Sequence, residues 1–351
     1  MVVVVGIDVH KDTHCAVAVD QAGRQIGSPL TVRATDAGHR QLLRWAGREH
    51  GPDVEFAVED CRHVSTRLER ALLTAGAKVV RVPPKLMAGA RQSARTRGKS
   101  DPIDALAIAR AAVREPGLPS AEHTHASREV KLLVDHREDL VRMRTAMTNR
   151  LRWHLHELEP GLEPPARAMG NLVELDRLTE RLAGLPDTVV RRLAIELIDD
   201  IRSLTQRANT LERELAALVK TQAPQLLELP GCGVLTAAKL LGETANPARF
   251  RSEACFAMHA GVAPIPASSG RTNRHRLARG GNRQLNAALH RIAITQTRLD
   301  GLGKTYYQRR RAQGDTTMEA LRALKRRLAR VVFNLLNHTP STATAPLPQA
   351  A

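Results

Sequence analysis

The segment that follows Met1 is almost continuously β-branched, and it constrains the fold more than any other part of the chain. Residues 2–8 read Val-Val-Val-Val-Gly-Ile-Asp. A run of this kind, without polar alternation, is typical of a strand that is buried on both faces. Such a strand lies inside a sheet that helices cover on both sides. The sequence therefore predicts an α/β domain that begins with a central strand.

The following hundred or so residues supply the partners of this strand. Their patterns predict strands over 14–19, 25–32, 54–58 and 78–82, and helices over 36–50, 63–74 and 101–113. Pro83 and Pro84 end the last strand, and the basic segment 87–99 is predicted to be irregular. Three strands joined by short turns, and then alternating helices and strands, are typical of the mixed sheet of the ribonuclease H-like fold. We assign this domain to residues 1–115.

The rest of the chain changes character twice. Leucines recur every three or four residues through 116–223, which predicts a helical hairpin or coiled-coil arm that serves as linker and oligomerisation region. Residues 224–338 are rich in small residues, Gly and Arg, and we expect a mainly α domain. Residues 339–351 are uncharged and rich in Pro and Ala, so a disordered tail is predicted.

The charge of the chain points to a polyanionic partner. Lys and Arg number 53 against 36 Asp and Glu, which gives a formal net charge of +17. This excess predicts attraction to nucleic acid. Aromatic residues make up only 2%, so base stacking cannot be the main mode of binding. Without a signal peptide or a run of about 18 apolar residues, the chain is predicted to be cytoplasmic, with no membrane partner.

Four acidic residues lie where predicted elements of the α/β domain end or begin. Asp8 ends the first strand and Glu59 follows the fourth, while Asp101 and Asp104 share one face of the last helix. In a ribonuclease H-like sheet these elements converge, so the four carboxylates would form one cluster. Such a cluster needs cations, and hard oxygen ligands suit Mg²⁺, with Mn²⁺ as the alternative. Two such ions can hold the attacking and leaving oxygens of a phosphoryl transfer.

Residues 229–233 (LPGCG) fit a helix-hairpin-helix element. Pro and Gly close a tight turn, and the backbone N–H groups of Gly231 and Gly233 could then hold a phosphate at the start of the next helix. The same pattern also fits an ordinary connection between two helices, and both interpretations stay open.

Residues 260–271 (AGVAPIPASSGR) contain two adjacent serines, Ser268 and Ser269, and lead into a basic segment. Serine is a poor nucleophile unless a base or a metal activates it. Arginine can stabilise the charge that develops on a phosphate in the transition state. The arginines predicted to bind nucleic acid here are Arg271, Arg274, Arg276 and Arg279. A Ser-Gly turn inside a solvated basic loop is the alternative interpretation.

Two later segments also carry basic side chains. Arg309 and Arg310 follow a tyrosine pair, which more simply contacts a nucleic-acid backbone than acts as a nucleophile. The helical pattern further on predicts an amphipathic basic helix, with Lys325 and Arg326 on its polar side and Val331 on its apolar side. We expect Arg309, Arg310 and Arg326 to contact nucleic acid.

Two sets of motifs resemble one known family, the insertion-sequence transposases related to the Piv invertase. Residues 6–11 (GIDVHK), Glu59 and residues 99–105 (KSDPIDA) resemble its N-terminal DEDD, RuvC-like domain. Four later segments resemble the C-terminal transposase domain of the same family: 229–233, 250–252 (FRS), 260–264 (AGVAP) and 268–270 (SSG). The motifs occur in the expected order along the chain.

The resemblance implies a DNA transposase/recombinase that cuts and rejoins strands of an insertion sequence. The implied catalytic Mg²⁺ ligands are Asp8, Glu59, Asp101 and Asp104. Ser269 is the implied nucleophile, through a phosphoserine–DNA intermediate, and Ser268 is its neighbouring alternative. The resemblance also implies a composite site between subunits of a homo-oligomer, a dimer or tetramer. Its implied partners are duplex DNA of the element ends and target, and a structured guide (bridge) RNA.

The chain departs from the family pattern after Glu59. Relatives often have a small residue or Gly there, whereas Asp60 and Cys61 follow here, so Asp60 stays open as a ligand, as does Asp12. A metal-dependent Holliday-junction-type endonuclease that uses water is the alternative function. A sugar-kinase or actin-like ATPase would have Gly and Thr or Ser soon after the first Asp, where this chain has Val-His-Lys. A DNA-binding protein without enzymatic activity is the last alternative. In such a protein the repulsion within a carboxylate cluster would lower stability without serving a reaction.

Overall fold

The computed structural model describes residues 2–59, 64–92, 98, 100–115, 117–121, 125–162, 164–165, 168–268, 275–276, 278 and 280–338. The described residues group into two compact units, one within 1–124 and 245–338 and the other within 125–244. These units follow packing, whereas the predicted domains 1–115, 116–223 and 224–338 follow composition. The predicted domains and the predicted tail 339–351 therefore stay predictions.

The first unit begins with a sheet and its covering helices. The strands are β1 (Val3–Val9), β2 (Thr13–Val19), β3 (Gln25–Arg33), β4 (Val54–Glu59) and β5 (Lys78–Val82). The helices are α1 (Asp36–His50), α2 (Thr66–Thr74), α3 (Pro84–Gln92) and α4 (Asp101–Arg114). The order β3-β2-β1-β4-β5 joins three antiparallel strands to two parallel ones. The mixed α/β sheet predicted from the sequence is confirmed.

The central strand β1 is buried on both faces, as its β-branched run predicts. On one face Val5 and Ile7 pack with Leu42 of α1. On the other face Val4 packs with Ile108 of α4. Burial of apolar surface on both sides is what fixes this strand in the middle of the sheet.

Residues 87–92 are helical in α3, so the prediction of an irregular segment over 87–99 is wrong there, while residues 93–97 and 99 lie outside the described residues. Strand β5 ends at Val82, directly before Pro83 and Pro84, as predicted. Pro84 also occupies the first position of α3, where a missing N–H costs nothing. Met87 is buried and packs in the same cluster as Ile108, which holds the short helix against the sheet.

The second unit is helical and consists of α5 (His125–Leu158), α6 (Leu172–Ala183), α7 (Val189–Gln222) and α8 (Val234–Thr244). The long helices α5 and α7 are antiparallel. Arg137, early in α5, donates to Glu212, late in α7, at 2.6 Å, while Leu155 near the end of α5 packs with Ile198 near the start of α7. They form a helical hairpin, one of the two predicted arrangements. A coiled coil and an oligomerisation role stay predictions.

The chain then returns to the first unit with α9 (Glu253–His259), β6 (Ile265–Pro266), β7 (His275–Arg276), α10 (Arg283–Arg298), α11 (Leu302–Ala312) and α12 (Thr317–Asn337). This part is mainly helical, as predicted. None of the helices in the described ranges is both long enough and apolar enough to cross a membrane.

The predicted faces of α12 are wrong at two residues. Lys325, expected on the polar side, is buried and donates to Oδ1 of Asn286 at 2.6 Å. Val331, expected on the apolar side, is 40% exposed. The helix buries Leu324 and Leu328, and Lys325 lies inside that stripe because residues three apart share a helix face.

Candidate functional site

Asp8 and Glu59 stand at the same end of two adjacent parallel strands. Ile7 of β1 pairs with Val58 of β4, so each acidic residue comes one position after a paired residue. Ile7 and Val58 pack in one core on the same face of the sheet. Because successive side chains point to opposite faces, Asp8 and Glu59 both lie on the other face.

Helix α4 covers that face. Its close approach depends on Gly6, where a Cβ atom would overlap the carbonyl oxygen of Ala105. Ser100 is the N-cap residue, although its side chain makes no capping hydrogen bond. Asp101 and Asp104 lie in the first turn, three residues apart and therefore on one face. The fold thus brings this turn to the carboxyl end of β1.

Within the part of the chain that the structure describes, Asp8, His10 and Asp101 form a group of possible metal ligands. Nε2 of His10 lies 3.1 Å from Oδ2 of Asp8 and 3.4 Å from Oδ1 of Asp101. One ligand atom from each of the three residues lies within 4.8 Å of the other two. The side chain of Asp8 is 9% exposed and that of His10 is 50% exposed. The group is therefore anchored in the protein and reachable from solvent.

The electrostatics of Asp8 favour a bound cation. Burial raises the pKa of the Asp8 carboxyl above its ordinary value. His10 opposes this increase, whereas the charges of Asp104 and Asp101 add to it. A divalent cation would offset both the burial and the repulsion between carboxylates. Such an ion fits the donor set, which consists of two carboxylates and an imidazole nitrogen at a partly buried site.

The four predicted carboxylates are not equally close. Asp8 and Asp101 belong to the 4.8 Å group, and Asp104 is near enough to raise the pKa of Asp8. Glu59 is half-buried at the end of β4 on the same face, outside that group.

The rival ligands and one missed residue complete this comparison. Asp12 is exposed and does not belong to the 4.8 Å group, and Asp60 lies outside the described residues. The sequence pattern does not single out His10, which occurs there only as part of the motif GIDVHK. The signal that could have found it is a histidine two residues after an Asp that ends a strand.

A basic cavity of about 320 Å³ lies between residues 261–264, β7 and helices α11 and α12. Its lining includes six basic side chains, Arg276, Arg310, Arg322, Lys325, Arg326 and Arg327. Two of the described residues that line it are acidic, Asp315 and Glu319. A cavity with this excess of positive charge can accept a phosphate group.

The arginines predicted to bind nucleic acid are placed differently from one another. Arg276 lies on β7, exposed at the cavity. Arg309 is exposed on α11. Arg310 bonds Asp315 at 2.6 Å, and Arg326 makes two bonds to Glu253. Three more arginines that were predicted to bind nucleic acid lie outside the described residues: Arg271, Arg274 and Arg279.

The serine segment and the glycine turn are only partly described. Strands β6 and β7, which precede and follow the two serines in the sequence, pair antiparallel with each other. Ser268 is exposed, and Ser269 lies outside the described residues. Gly231 has a φ of 84°, a left-handed conformation that favours glycine, and Gly233 directly precedes α8. A turn before α8 is therefore present, while a helix-hairpin-helix element that binds phosphate stays a prediction.

Two family models match the chain. Residues 5–160 match DEDD_Tnp_IS110, described as "Transposase", and residues 223–308 match "Transposase IS116/IS110/IS902 family". The insertion element IS110 43.6 kDa protein of Streptomyces coelicolor is 32% identical, over 75% of this chain and 76% of its own length. The chain belongs to the IS116/IS110/IS902 family of transposases. It is therefore an insertion-element transposase, a DNA recombination enzyme.

Further relatives agree with this family. The insertion element IS116 44.8 kDa protein of Streptomyces clavuligerus is 28% identical, over 97% of this chain and 96% of its own length. Among solved structures, T. thermophilus RuvC in complex with a Holliday junction substrate is 17% identical, with a TM-score of 0.25. That match covers 32% of this chain and 92% of the RuvC chain.

The two matched regions of this IS116/IS110/IS902 transposase divide the candidate residues. The acidic group and His10 fall inside residues 5–160, and the serine segment falls inside 223–308. Arg310 and Arg326 lie beyond residue 308. Their assignment therefore depends on the structure and charge of this chain alone.

Proposed function

We propose that this transposase cuts and rejoins DNA strands at a Mg²⁺-dependent acidic site. The proposed ligands are Asp8, Glu59, Asp101 and Asp104. One observation carries the proposal: ligand atoms of Asp8 on β1 and Asp101 on α4 lie within 4.8 Å of each other, with Asp104 close by. Carboxylates this close, one of them nearly buried, favour a divalent cation.

Each part of this site has a distinct task. Mg²⁺ held there, with Mn²⁺ as the alternative, would help to activate an attacking hydroxyl and to stabilise the leaving oxygen of a phosphodiester. The chain contributes rigidity, because Asp8 lies on the central strand and Asp104 on a helix packed directly against it. Ligands fixed on two packed elements need little rearrangement when the substrate binds. Arg276 and the basic cavity are suited to holding DNA phosphates.

Ser269 is the proposed nucleophile. Its hydroxyl oxygen attacks the phosphorus, so that an Oγ–P bond forms while the P–O bond to one side of the strand breaks. The serine gives up its proton, and the leaving strand end gains one as a hydroxyl. Attack by another strand hydroxyl reverses these steps, rejoins the DNA and restores the serine. This proposal is supported by the resemblance of segment 268–270 and by the family match over 223–308.

The partners are also part of the proposal. We propose a homo-oligomer, a dimer or tetramer, in which the acidic site of one subunit and Ser269 of another act on one strand. A structured bridge RNA would pair with element and target DNA. The motif resemblance supports both ideas, and the net charge of +17 suits a protein that holds two nucleic acids.

Detection of a covalent protein–DNA adduct on a denaturing gel tests the proposal. The assay uses the full chain, element-end duplex, transcribed RNA from the element's non-coding end, and Mg²⁺. We expect an adduct that requires Mg²⁺, is lost in Asp8→Asn and persists in Asp12→Asn, a matched change at an exposed neighbour. Cleavage without an adduct would instead support the junction endonuclease that uses water. If the element-end duplex is not cleaved in the presence of Mg²⁺, the proposed acidic site is refuted.

Three further variants resolve the finer parts. Ser269→Ala should abolish the adduct and Ser268→Ala should retain it, while the reverse result assigns the nucleophile to Ser268. A mixture of Asp8→Asn and Ser269→Ala subunits should recover adduct if the site is composite, and should stay inactive if each subunit acts alone. Ribonuclease treatment before the assay should remove activity, and added transcript should restore it. Activity that is indifferent to RNA contradicts guidance.

A further inference from the structure

His10 lies in the turn between β1 and β2, with its ring beside two carboxylates. Its backbone N–H donates to the carbonyl oxygen of Thr13 at 3.0 Å, which fixes the turn between β1 and β2. Its Nε2 atom then lies 3.1 Å from Oδ2 of Asp8 and 3.4 Å from Oδ1 of Asp101. The ring is half exposed, so an ion that enters from solvent meets the imidazole nitrogen together with both carboxylates.

We propose that His10 is a ligand of the metal site and shifts its preference from Mg²⁺ toward Mn²⁺. This inference rests on the proposed function, because it assumes that the acidic site binds a divalent cation. Mg²⁺ takes oxygen ligands and keeps several of its waters, whereas transition metals accept imidazole nitrogen. Three donor atoms within 4.8 Å that include one nitrogen therefore favour Mn²⁺ more than an all-carboxylate set would.

The same geometry has a second explanation that predicts the opposite sign. As an imidazolium, His10 would neutralise Asp8 and Asp101 and would have to move aside when an ion binds. Removing the side chain would then tighten metal binding. If His10 is a ligand, removing it weakens Mn²⁺ binding more than Mg²⁺ binding. The direction of the change therefore separates the two roles.

The experiment measures metal binding to the full chain without DNA. Mn²⁺ is titrated and followed by its free-ion EPR signal, and Mg²⁺ affinity is obtained by competition. Loss of a residue that merely supports a ligand costs about tenfold or more in metal affinity, so His10→Ala should weaken Mn²⁺ binding at least that much. The Mg²⁺ affinity should change less. His10→Asp should shift the preference back toward Mg²⁺, and Asp12→Asn, at an exposed neighbour, should leave both affinities unchanged.

A spectroscopic signature completes the test. Electron spin echo modulation of the bound Mn²⁺ should show coupling to a nitrogen, and this coupling should disappear in His10→Ala. Stronger Mn²⁺ binding in His10→Ala, or bound Mn²⁺ with no nitrogen coupling in the native chain, overturns the role of His10 while leaving the acidic site intact. If neither ion binds the native chain and Asp8→Asn changes nothing, the proposed function itself fails.

Discussion

Gly6 of β1 lies directly against the backbone of α4 at Ala105, so closely that a methyl group on Gly6 would overlap the Ala105 carbonyl oxygen. This contact sets the distance between the sheet and the helix that carries Asp101 and Asp104. The acidic site therefore depends on a residue that has no chemistry of its own. Glycine is required here for the close approach of two backbones, not for an unusual φ.

Gly6→Ala should push α4 away from the sheet. We expect a loss of about 1–3 kcal/mol in the free energy of unfolding, as for other overpacked cores. Mn²⁺ binding should weaken as well, because Asp101 moves away from Asp8. Gly47→Ala is the matched control, since a Cβ there meets nothing within 4 Å in helix α1, and it should stabilise the protein by about 0.5–1 kcal/mol. Urea unfolding measures both, and native-like stability in Gly6→Ala would contradict the argument.

The α/β framework could be predicted because its signals are local. The bounds of α1 and β5 agree with the prediction, since the helical spacing and the short apolar run are each unambiguous. The helix that begins at Pro84 was not predicted, because a proline after a strand indicates the end of that strand and does not show that a helix follows. The burial of Met87 holds the helix in place. No local signal reports that burial.

The site was predicted only in outline for a related reason. Spacing shows that Asp101 and Asp104 share a face, but it does not show where the ring of His10 points after a turn. The exchange of Lys325 and Val331 between faces has the same origin. Helix α12 packs against both α9 and α10. Its buried stripe is therefore wider than the stripe of a helix that packs against a single neighbour.

A buried histidine pair should make the stability of the protein depend on pH. His14 on β2 and His39 on α1 stack with ring centroids 5.3 Å apart, and their Nε2 atoms are 3.2 Å apart. Burial, and then the charge of His39, lower the pKa of His14 to about 4. Burial also lowers the pKa of His39. Both rings are therefore neutral in the folded protein at pH 7.

Between pH 6.5 and 4 the unfolded chain binds a proton at His14 that the folded chain does not. Stability that is present above about pH 6.5 should therefore fall as the pH is lowered toward 4, by up to ~3 kcal/mol for this group. The double variant His14→Leu, His39→Leu should lose most of this slope, and His156→Gln, exposed on α5, should keep it. Urea unfolding at pH 7, 6 and 5 measures the slope. An unchanged slope in the double variant would show that other groups cause it.

Glu253 should limit how strongly the basic helix α12 holds DNA. Arg326 donates to its two oxygens at 2.9 and 3.2 Å, and Arg330 donates at 2.8 Å. These hydrogen bonds, that of Arg326 first, lower the pKa of Glu253 to about 2. The carboxylate is thus charged at neutral pH and neutralises part of the basic surface.

Glu253→Gln should raise the affinity for non-specific duplex DNA and make its salt dependence steeper. The slope of log K against log salt should change by about −1 for each additional phosphate contact. Glu228→Gln, an exposed residue with the same change of charge, should alter the affinity less and leave the slope unchanged. Fluorescence anisotropy over a range of salt concentrations measures both quantities. Equal effects of the two variants would mean that only net charge matters.

The helical unit contains an ion cluster around one buried lysine. Lys239 of α8 is 1% exposed and donates to Asp135 at 2.8 Å and to Glu138 at 2.9 Å, both on α5. Lys131 donates to Asp135 at 2.7 Å and to Glu243 at 2.6 Å. Although burial raises the pKa of Asp135, the hydrogen bonds from both lysines bring it below its ordinary value. A lysine inside the apolar run of α8 was the signal for this cluster.

Lys239→Met should be among the most destabilising single changes in this unit. The apolar side chain fills a similar volume, but it leaves Glu138 and Asp135 without the ammonium that they share. Because these two carboxylates are half-buried, losing the charged hydrogen bonds of Lys239 should cost about 1.5–3 kcal/mol. Lys220→Met, exposed in the last turn of α7, should change stability by less than about 0.5 kcal/mol. Thermal and urea unfolding measure the difference. If Lys239→Met matches the control, α8 is held by its apolar contacts alone, and the ion cluster is incidental to the packing of α5 and α8.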